Sequence, residues 1–175
     1  MKLSKIKTYA NPYICIVQVQ GDDGSSGWGQ TAPYQADITA LILHRQVAPH
    51  VLGQTVENPS DIGSLVELVL EKEHKFPGSY VRRAVGGVDL ALWDLFGKQS
   101  DKSVCELLGG TPRPFRVYGS SMRRDITPED EANRLLSYRD QYGYDAFKFR
   151  VGKECGHDED EWPGRSEAIV KEVST

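Results

Sequence analysis

The chain is poor in the features that would assign it quickly. Its three cysteines, Cys15, Cys105 and Cys155, are an odd and scattered set, which argues against a disulfide framework and makes a reducing cytoplasm the expected compartment. No apolar run approaches the roughly 18 residues of a membrane span, and the basic start Met1-Lys-Leu-Ser-Lys-Ile-Lys7 has no apolar signal core behind it. Charge of one sign is not in excess. A net charge of −4 gives no electrostatic footprint for nucleic acid or an anionic membrane, so neither is expected as a partner. No fixed-period repeat and no low-complexity segment is present. What remains is a composition 39% hydrophobic and 26% charged over 175 residues, which is ordinary for a soluble protein and long enough for one or two domains with real cores.

The first part alternates with period two. Lys2 to Tyr9, carrying Leu3, Ile6 and Tyr9, reads as an edge strand, and Asn11-Pro12 as a turn. Tyr13 to Gln20 is the clearest strand, with Ile14, Ile16 and either Val17 or Val19 expected to point inward. Gly21-Asp-Asp-Gly24 supplies a hairpin turn, and Gly27-Trp-Gly-Gln-Thr31 a short, glycine-rich third strand. Together these predict a three-stranded antiparallel meander.

Periodicity then changes to 3.6. Ile38, Leu41, Ile42, Arg45 and Ala48 mark a helix expected to end at Pro49. Asn58-Pro-Ser-Asp61 is a helix start, with a capping side chain, proline at the first position and an acid in the first turn; Ile62, Leu65, Val66 and Val69 form its buried stripe. A third helix carries Val81, Ala84, Val85, Val88, Ala91, Leu92, Leu95 and Phe96. Gly86-Gly87 inside it costs on the order of 1 kcal/mol per glycine relative to alanine, which a close helix-to-helix or helix-to-sheet approach would explain. Asp89 and Trp93 on this helix read as core or interface. Residues 1–111 are therefore expected to form an α+β domain.

From Pro112 the pattern alternates between strand and helix. Phe115 to Tyr118 is expected as a short strand. Thr127-Pro-Glu-Asp130 opens a helix that buries Ala132, Leu135, Leu136 and Tyr142 and closes at Gly143. Gly143 to Gly152 follows as a short buried strand, in which Phe147, Phe149 and Val151 alternate with Ala146, Lys148 and Arg150. Alternation places the two cations on one face, where burial without a partner is costly; a half-solvated strand with a basic outer face fits the same pattern. Trp162-Pro-Gly-Arg starts one more helix. Strand, helix, strand, helix is the grammar of a parallel sheet with crossovers, and two such strands cannot complete one. The run His157-Asp-Glu-Asp-Glu161 beside Cys155 lacks metal-ligand spacing and reads as a solvated loop whose acids favour the following helix N-terminus.

The run Ala91-Leu-Trp-Asp-Leu-Phe-Gly-Lys98, followed by Cys105-Glu-Leu-Leu-Gly-Gly110, resembles the last capping-domain helix of the enolase superfamily, specifically its mandelate racemase and muconate-lactonizing branch. The early meander resembles that domain's sheet, and Pro112 to Gly152 resembles the first two strands of its barrel. The fold class this implies is an α+β capping domain, with a three-stranded antiparallel meander plus helices (1–111), followed by the first two β/α units of a TIM-type (β/α) barrel (112–175). The resemblance further implies abstraction of a proton α to a carboxylate, with the enediolate held on Mg²⁺, as in acid-sugar dehydratases and racemases or epimerases.

Lys148-Phe-Arg150 falls where such proteins carry Lys-x-Lys at the end of the second barrel strand, so Lys148 and Arg150 are the implied catalytic residues. Arg150 departs from the pattern, because a guanidinium with a pKa above about 12 is a poor base and a good carboxylate partner. Lys148 is either the base or, like Arg150, an electrostatic binder. Ser121 and Arg123, in the loop after the first barrel strand, and Tyr34, in a capping-domain loop, are the implied substrate-binding residues. The family's metal ligands and His–Asp dyad lie on later strands, so no metal ligand is expected here: Mg²⁺ belongs to the complete enzyme and none to this fragment. A small carboxylate such as an acid sugar is the implied substrate, and a homo-oligomer the implied complete assembly. The alternative is a non-catalytic truncated remnant or oligomerising capping module.

Overall fold

The structure is a computed structural model and describes residues 1–174. The chain divides into two compact units, Met1–Pro112 and Arg113–Thr175.

The first unit opens with an antiparallel sheet of β1 (Leu3–Ala10), β2 (Cys15–Gly21) and β3 (Ser26–Gln30), in that order. Asn11 makes the first turn, its Oδ1 accepting the amides of Tyr13 and Ile14 at 2.8 and 3.0 Å. Leu3 and Ile6 are both buried although three residues apart. The register shifts between Leu3 and Lys5, and this bulge at Ser4 returns Ile6 to the inner face. On β2 the inner face is Cys15, Val17 and Val19, all fully buried. Ile14 and Ile16 lie on the opposite parity and remain partly exposed, which corrects the expectation that they point inward. Apolar residues occupy both faces of β2, so period alone did not decide which face meets the helices.

The helices follow as α1 (Ala36–Ile42), a π-helical turn (Leu43–Val47), α2 (Ala48–Val51), α3 (Pro59–Lys72), α4 (Ser79–Ser100) and the short α5 (Val104–Leu107). Pro49 does not end the first of these. The π turn precedes it and widens the backbone where a proline ring would otherwise meet a carbonyl one turn back. The buried stripe is Ala36, Thr39, Ala40, Leu43, Val47 and Val51, while Ile38 and Leu41 are exposed. At the start of α3, Asp61 Oδ2 accepts the amides of Glu57 and Asn58 at 2.8 and 2.9 Å, and Ile62, Leu65 and Val69 face the core.

Helix α4 is the centre of this unit. It lies on β3 so closely that a Cβ added at Gly27 would sit 1.9 Å from the carbonyl oxygen of Ala91, and one at Gly29 would sit 2.2 Å from that of Gly87. A Cβ on Gly87 would meet Val17 and Thr31 at 2.9 and 2.8 Å. The helix-to-sheet approach inferred from Gly86-Gly87 is therefore real for Gly87. Gly86 faces open space. Across the same contact the Trp28 amide donates to Asp94 Oδ2 at 2.7 Å, so α4 also satisfies an outward amide of the edge strand β3.

The second unit contains β4 (Gly119–Ser120), α6 (Pro128–Tyr142), β5 (Phe147–Lys148) and α7 (Arg165–Val173). Strands β4 and β5 pair in parallel, Gly119 with Phe147 and Ser120 with Lys148. Both strands are shorter than expected. Phe115 to Tyr118 form no strand, and Phe115, Val117 and Tyr118 are exposed. Gly143 to Gly152 is not a buried strand: only Phe147–Lys148 pairs, and no residue of the stretch is fully buried. Thr127 caps α6 by accepting the Asp130 amide at 3.1 Å, and Gly143 closes it at φ 71°. Leu135 is buried as expected, whereas Leu136 and Tyr142 are exposed.

The backbone contact between β3 and α4 predicts that Gly27→Ala costs at least about 3 kcal/mol, the upper range for overpacking, because the obstructing atoms are backbone. Urea unfolding of the purified variant measures it, and a loss below about 1 kcal/mol would contradict the packing described.

Candidate functional site

The C-terminal ends of β4 and β5 are held by a polar scaffold. The Ser121 amide donates to the Lys148 carbonyl at 2.9 Å, extending the parallel pairing by one bond. Ser121 is buried, and its carbonyl and hydroxyl oxygens accept from Arg134 Nη2 at 3.0 and 2.5 Å. Arg134 in turn grips Glu131, donating Nε to Oε2 at 3.0 Å, and Glu131 is fully buried. Glu131 lies in the first turn of α6, where the helix N-terminus favours a carboxylate. The result is a Ser121–Arg134–Glu131 chain beneath the loop that follows β4.

A second cation fixes the end of β5. Arg165 is 1% exposed. Its Nη1 donates to the Arg150 carbonyl at 2.9 Å, its Nε to the Ile126 carbonyl at 3.3 Å, and its guanidinium stacks over the Trp162 ring at 5.1 Å. Arg165 thus ties the strand end carrying Arg150 to the segment leading into α6. Asp160 and Ser166 complete the frame. Ser166 Oγ accepts the Gly152 amide at 2.9 Å and donates to Asp160 Oδ1, which also accepts the Ser166 amide at 3.2 Å. Hydrogen bonding from Ser166 holds the Asp160 carboxyl below the usual aspartate range.

The candidate residues occupy this frame in different ways. Lys148 is exposed at the end of β5, and Arg150, two residues on, is half-buried. Arg150 Nη2 approaches Met122 Sδ at 3.5 Å, and its buried Nε has no hydrogen-bond partner among the described residues. The same holds for Arg165 Nη2. Arg123 turns to Asp125 in a two-pronged pair of 3.0 and 2.9 Å, which lowers the Asp125 carboxyl below its ordinary range. Ser121 is engaged by the scaffold just described. The structure therefore brings together Lys148, Arg150 and Ser121 at the ends of paired strands, while Arg123 spends its fork on its own loop.

Tyr34 belongs to the first unit. Both it and Gln35 adopt left-handed backbone conformations, at φ 63° and 53°, which is costly for non-glycine residues and is held by surroundings. Arg83 Nη1 donates to the Tyr34 carbonyl at 3.2 Å, the Tyr80 hydroxyl donates to Gln35 Oε1, and the exposed rings of Tyr34 and Tyr13 meet edge-on at 6.3 Å. These bonds hold the Tyr34–Gln35 backbone and leave an exposed aromatic pair beside it, a suitable recognition element.

Sequence reasoning passed over Glu131, Arg134 and Arg165. The spacing of Glu131 and Arg134 at i, i+3 was available as a signal, but it is common on solvated helix faces. Nothing in the sequence marks Arg165 as buried.

Residues 2–109 match the family model described as Mandelate racemase / muconate lactonizing enzyme, N-terminal domain. The chain belongs to this family. A solved structure from Roseobacter denitrificans, provisionally assigned as a racemase, is 54% identical and superposes with a TM-score of 0.90 over 99% of this chain and 48% of its own. A provisionally assigned mandelate racemase from Bordetella bronchiseptica RB50, complexed with 2-oxoglutarate/phosphate, is 27% identical, with TM-score 0.80 over 98% of this chain and 48% of its own. A mandelate racemase/muconate lactonizing protein from Paracoccus denitrificans PD1222, complexed with magnesium, is 24% identical and shares the fold, with TM-score 0.81 over 99% of this chain and 49% of its own. The chain thus spans about half the length of these relatives. The first unit is the capping domain of the mandelate racemase / muconate lactonizing family and the second is the start of its barrel.

The residues present do not fit the magnesium that the family implies. Among the described residues no three His, Cys, Asp or Glu side chains converge to hold an ion, and the β5 end presents a lysine and an arginine. A divalent cation needs oxygen donors, whereas this end offers donors to an anion.

Two outcomes follow for the scaffold. Arg134→Met should cost about 3–5 kcal/mol, because it leaves the Glu131 carboxylate buried and unpaired. Hydrogen exchange of α6 amides measures it; Arg123→Met, whose ion pair is exposed, should leave those rates nearly unchanged. Folding lowers the Asp160 pKa, so its stabilising contribution is whole above the ordinary aspartate value of about 3.9 and disappears as pH falls through the lower native value. Protection of the Gly152 and Ser166 amides, taken relative to the intrinsic exchange rate at each pH, should therefore fall on acidification below about pH 4, and Asp160→Asn should flatten that dependence. Unchanged acid sensitivity in the variant would remove Asp160 from this role.

Proposed function

We propose that this chain supplies the capping domain and the first substrate-binding strands of an enzyme that abstracts a proton α to a carboxylate, of the acid-sugar dehydratase or racemase/epimerase kind. The observation that carries the reading is the pair of cations, Lys148 and Arg150, at the C-terminal end of a parallel strand, the end at which barrel enzymes place their chemistry. Loss of the α-proton puts a second negative charge on the carboxylate oxygens. Arg150 is suited to hold that charge, since its fork matches a carboxylate and it does not give up its own proton near neutral pH. Lys148, exposed beside it, serves as the base or as a second electrostatic binder. Tyr34, on its strained loop, is the proposed specificity residue, and Ser121 and Arg123, in the loop after β4, are the other proposed substrate-binding residues. Magnesium, on this reading, is held by residues outside this chain and not by the chain itself. The substrate is a small carboxylate, the complete assembly is a homo-oligomer, and the three free thiols suit a reducing cytoplasm; no helix among the described residues is long and apolar enough to cross a membrane.

A chimera tests this: residues 1–174 replace the corresponding half of the Roseobacter denitrificans relative. In D₂O with Mg²⁺, the chimera should exchange the α-proton of the same acids as its parent, followed by NMR. Lys148→Ala should lower kcat on the order of a hundredfold or more, and Arg150→Lys should act mainly on KM. Faster exchange in Arg150→Lys would give position 150 the base role. A folded chimera that exchanges no acid its parent exchanges would overturn the proposal in favour of a non-catalytic capping module.

A further inference from the structure

The end of β5 is fixed well beyond the point where its strand pairing stops. The ladder with β4 ends at Ser120 and Lys148, yet the next alternate carbonyls are all taken. The Lys148 carbonyl accepts the Ser121 amide at 2.9 Å, the Arg150 carbonyl accepts Arg165 Nη1 at 2.9 Å, and the Gly152 carbonyl accepts Arg124 Nε at 3.3 Å. Two guanidinium groups therefore stand where a neighbouring strand would donate its amides. They come from different elements, Arg165 from the start of α7 and Arg124 from the segment between β4 and α6.

The two anchors are unequal. Arg165 is fully buried, and its guanidinium is held on three sides, by the Arg150 carbonyl, by the Ile126 carbonyl at 3.3 Å and by the Trp162 ring at 5.1 Å. Arg124 is half-buried and its bond is the longer one. Arg150 itself has little of its own to fix it. Its Nη2 approaches only the weak acceptor Met122 Sδ, at 3.5 Å, and its Nε has no partner among the described residues. The Arg150 guanidinium thus inherits its position from the backbone beneath it, and Arg165 anchors that backbone.

We infer that Arg165 is the positioning residue for Arg150: by replacing a strand partner at the Arg150 carbonyl, it sets where the Arg150 guanidinium is presented. This rests on the reading under Proposed function only in what the presented group is for, contact with a carboxylate. Lysine cannot stand in for Arg165. A single ammonium has no planar fork with which to meet two carbonyls in fixed directions while stacking on Trp162.

Side-chain ¹⁵N relaxation and acetate titration of the 175-residue chain test it. In the wild-type chain the Arg150 Nε–H should be ordered, with an order parameter near the rigid value of about 0.85. Arg165→Lys keeps the charge but should drop that order parameter below about 0.6. The same variant should weaken acetate binding, followed at the amides of residues 148–152, about fivefold or more. In an Arg150→Lys background it should change acetate affinity less than about twofold, because Arg165 acts through Arg150. Trp162→Leu removes the stacking face and neither carbonyl, so it should lower Arg150 order by a smaller amount; it decides the question even if Arg165→Lys fails to fold. Arg139→Lys, at an exposed pair on α6, should change neither readout. A disordered wild-type Arg150, an Arg150 whose order survives Arg165→Lys or Trp162→Leu, or fully additive losses in the double variant would overturn the inference. Wild-type order without any response to acetate would count against the carboxylate reading, while the order measurement still decides the positioning.

Discussion

Gly27 and Gly29 let the backbone of β3 lie against the backbone of α4, and the arrangement of the first unit follows from that approach. With any larger residue at either position the helix would have to lift, and Val17, Val19, Val88 and Leu92 would lose their shared burial. Close approach also lets Asp94 reach the outward Trp28 amide. A sheet of three strands has two exposed edges, and here the same helix that covers the inner face blunts one of them. The other edge, β1, is held by main-chain bonds from Leu3 to Gln54 and from Gly53 back to Leu3. Packing and edge protection are thus one device rather than two.

The second unit is built on a different principle. Its fully buried apolar side chains are few, with Ile126, Leu135 and Ile169 the buried hydrophobic residues described there. Polar groups supply the rest. Glu131 and Arg165 are as buried as any leucine in the first unit, and each is wired into backbone or ion-pair contacts that fix the loops around β4 and β5. Such networks contribute little net stability compared with apolar packing, because desolvation offsets much of the Coulombic gain. They do impose geometry. A strand end whose position is set by a guanidinium on its carbonyl is well placed to present the next side chain to a ligand.

The sequence made the order and type of most elements readable because periodicity and caps are local. The switch from period two to 3.6 after Thr31, the start at Asn58 to Asp61, and the stop at Gly143 all match the structure. Faces were harder. Ile14 and Ile16 have the same character as Val17 and Val19, and only α4 lying on one side of β2 selects between them. Pro49 misled because its usual effect was absorbed by a π turn, a tertiary accommodation without a local signature. The strand expected at Phe115 to Tyr118 failed for a different reason: β-forming residues there pair with no strand among the described residues, and ladder bonds are not made from propensity alone. In the candidate site, the sequence pattern placed Lys148 and Arg150 on one strand face, whereas the scaffold of Glu131, Arg134 and Arg165 rests on burial and contacts that no spacing announces.

The balance of donors and acceptors at the end of β5 argues for the kind of ligand this end favours. Arg150 Nε and Arg165 Nη2 are buried donors without acceptors among the described residues, and a buried group left unsatisfied costs roughly 1–3 kcal/mol. Arg165 has already spent its other nitrogens on the Arg150 and Ile126 carbonyls, so the shortage cannot be relieved by turning that side chain without releasing the strand. Lys148 adds a further cation on the exposed side. Buried donors of this kind are stabilised by oxygen acceptors carrying negative charge. A negative charge nearby is favoured by them, while a metal ion would add to an existing excess of positive charge. Electrostatics at this strand end therefore favour an anionic ligand over a cation.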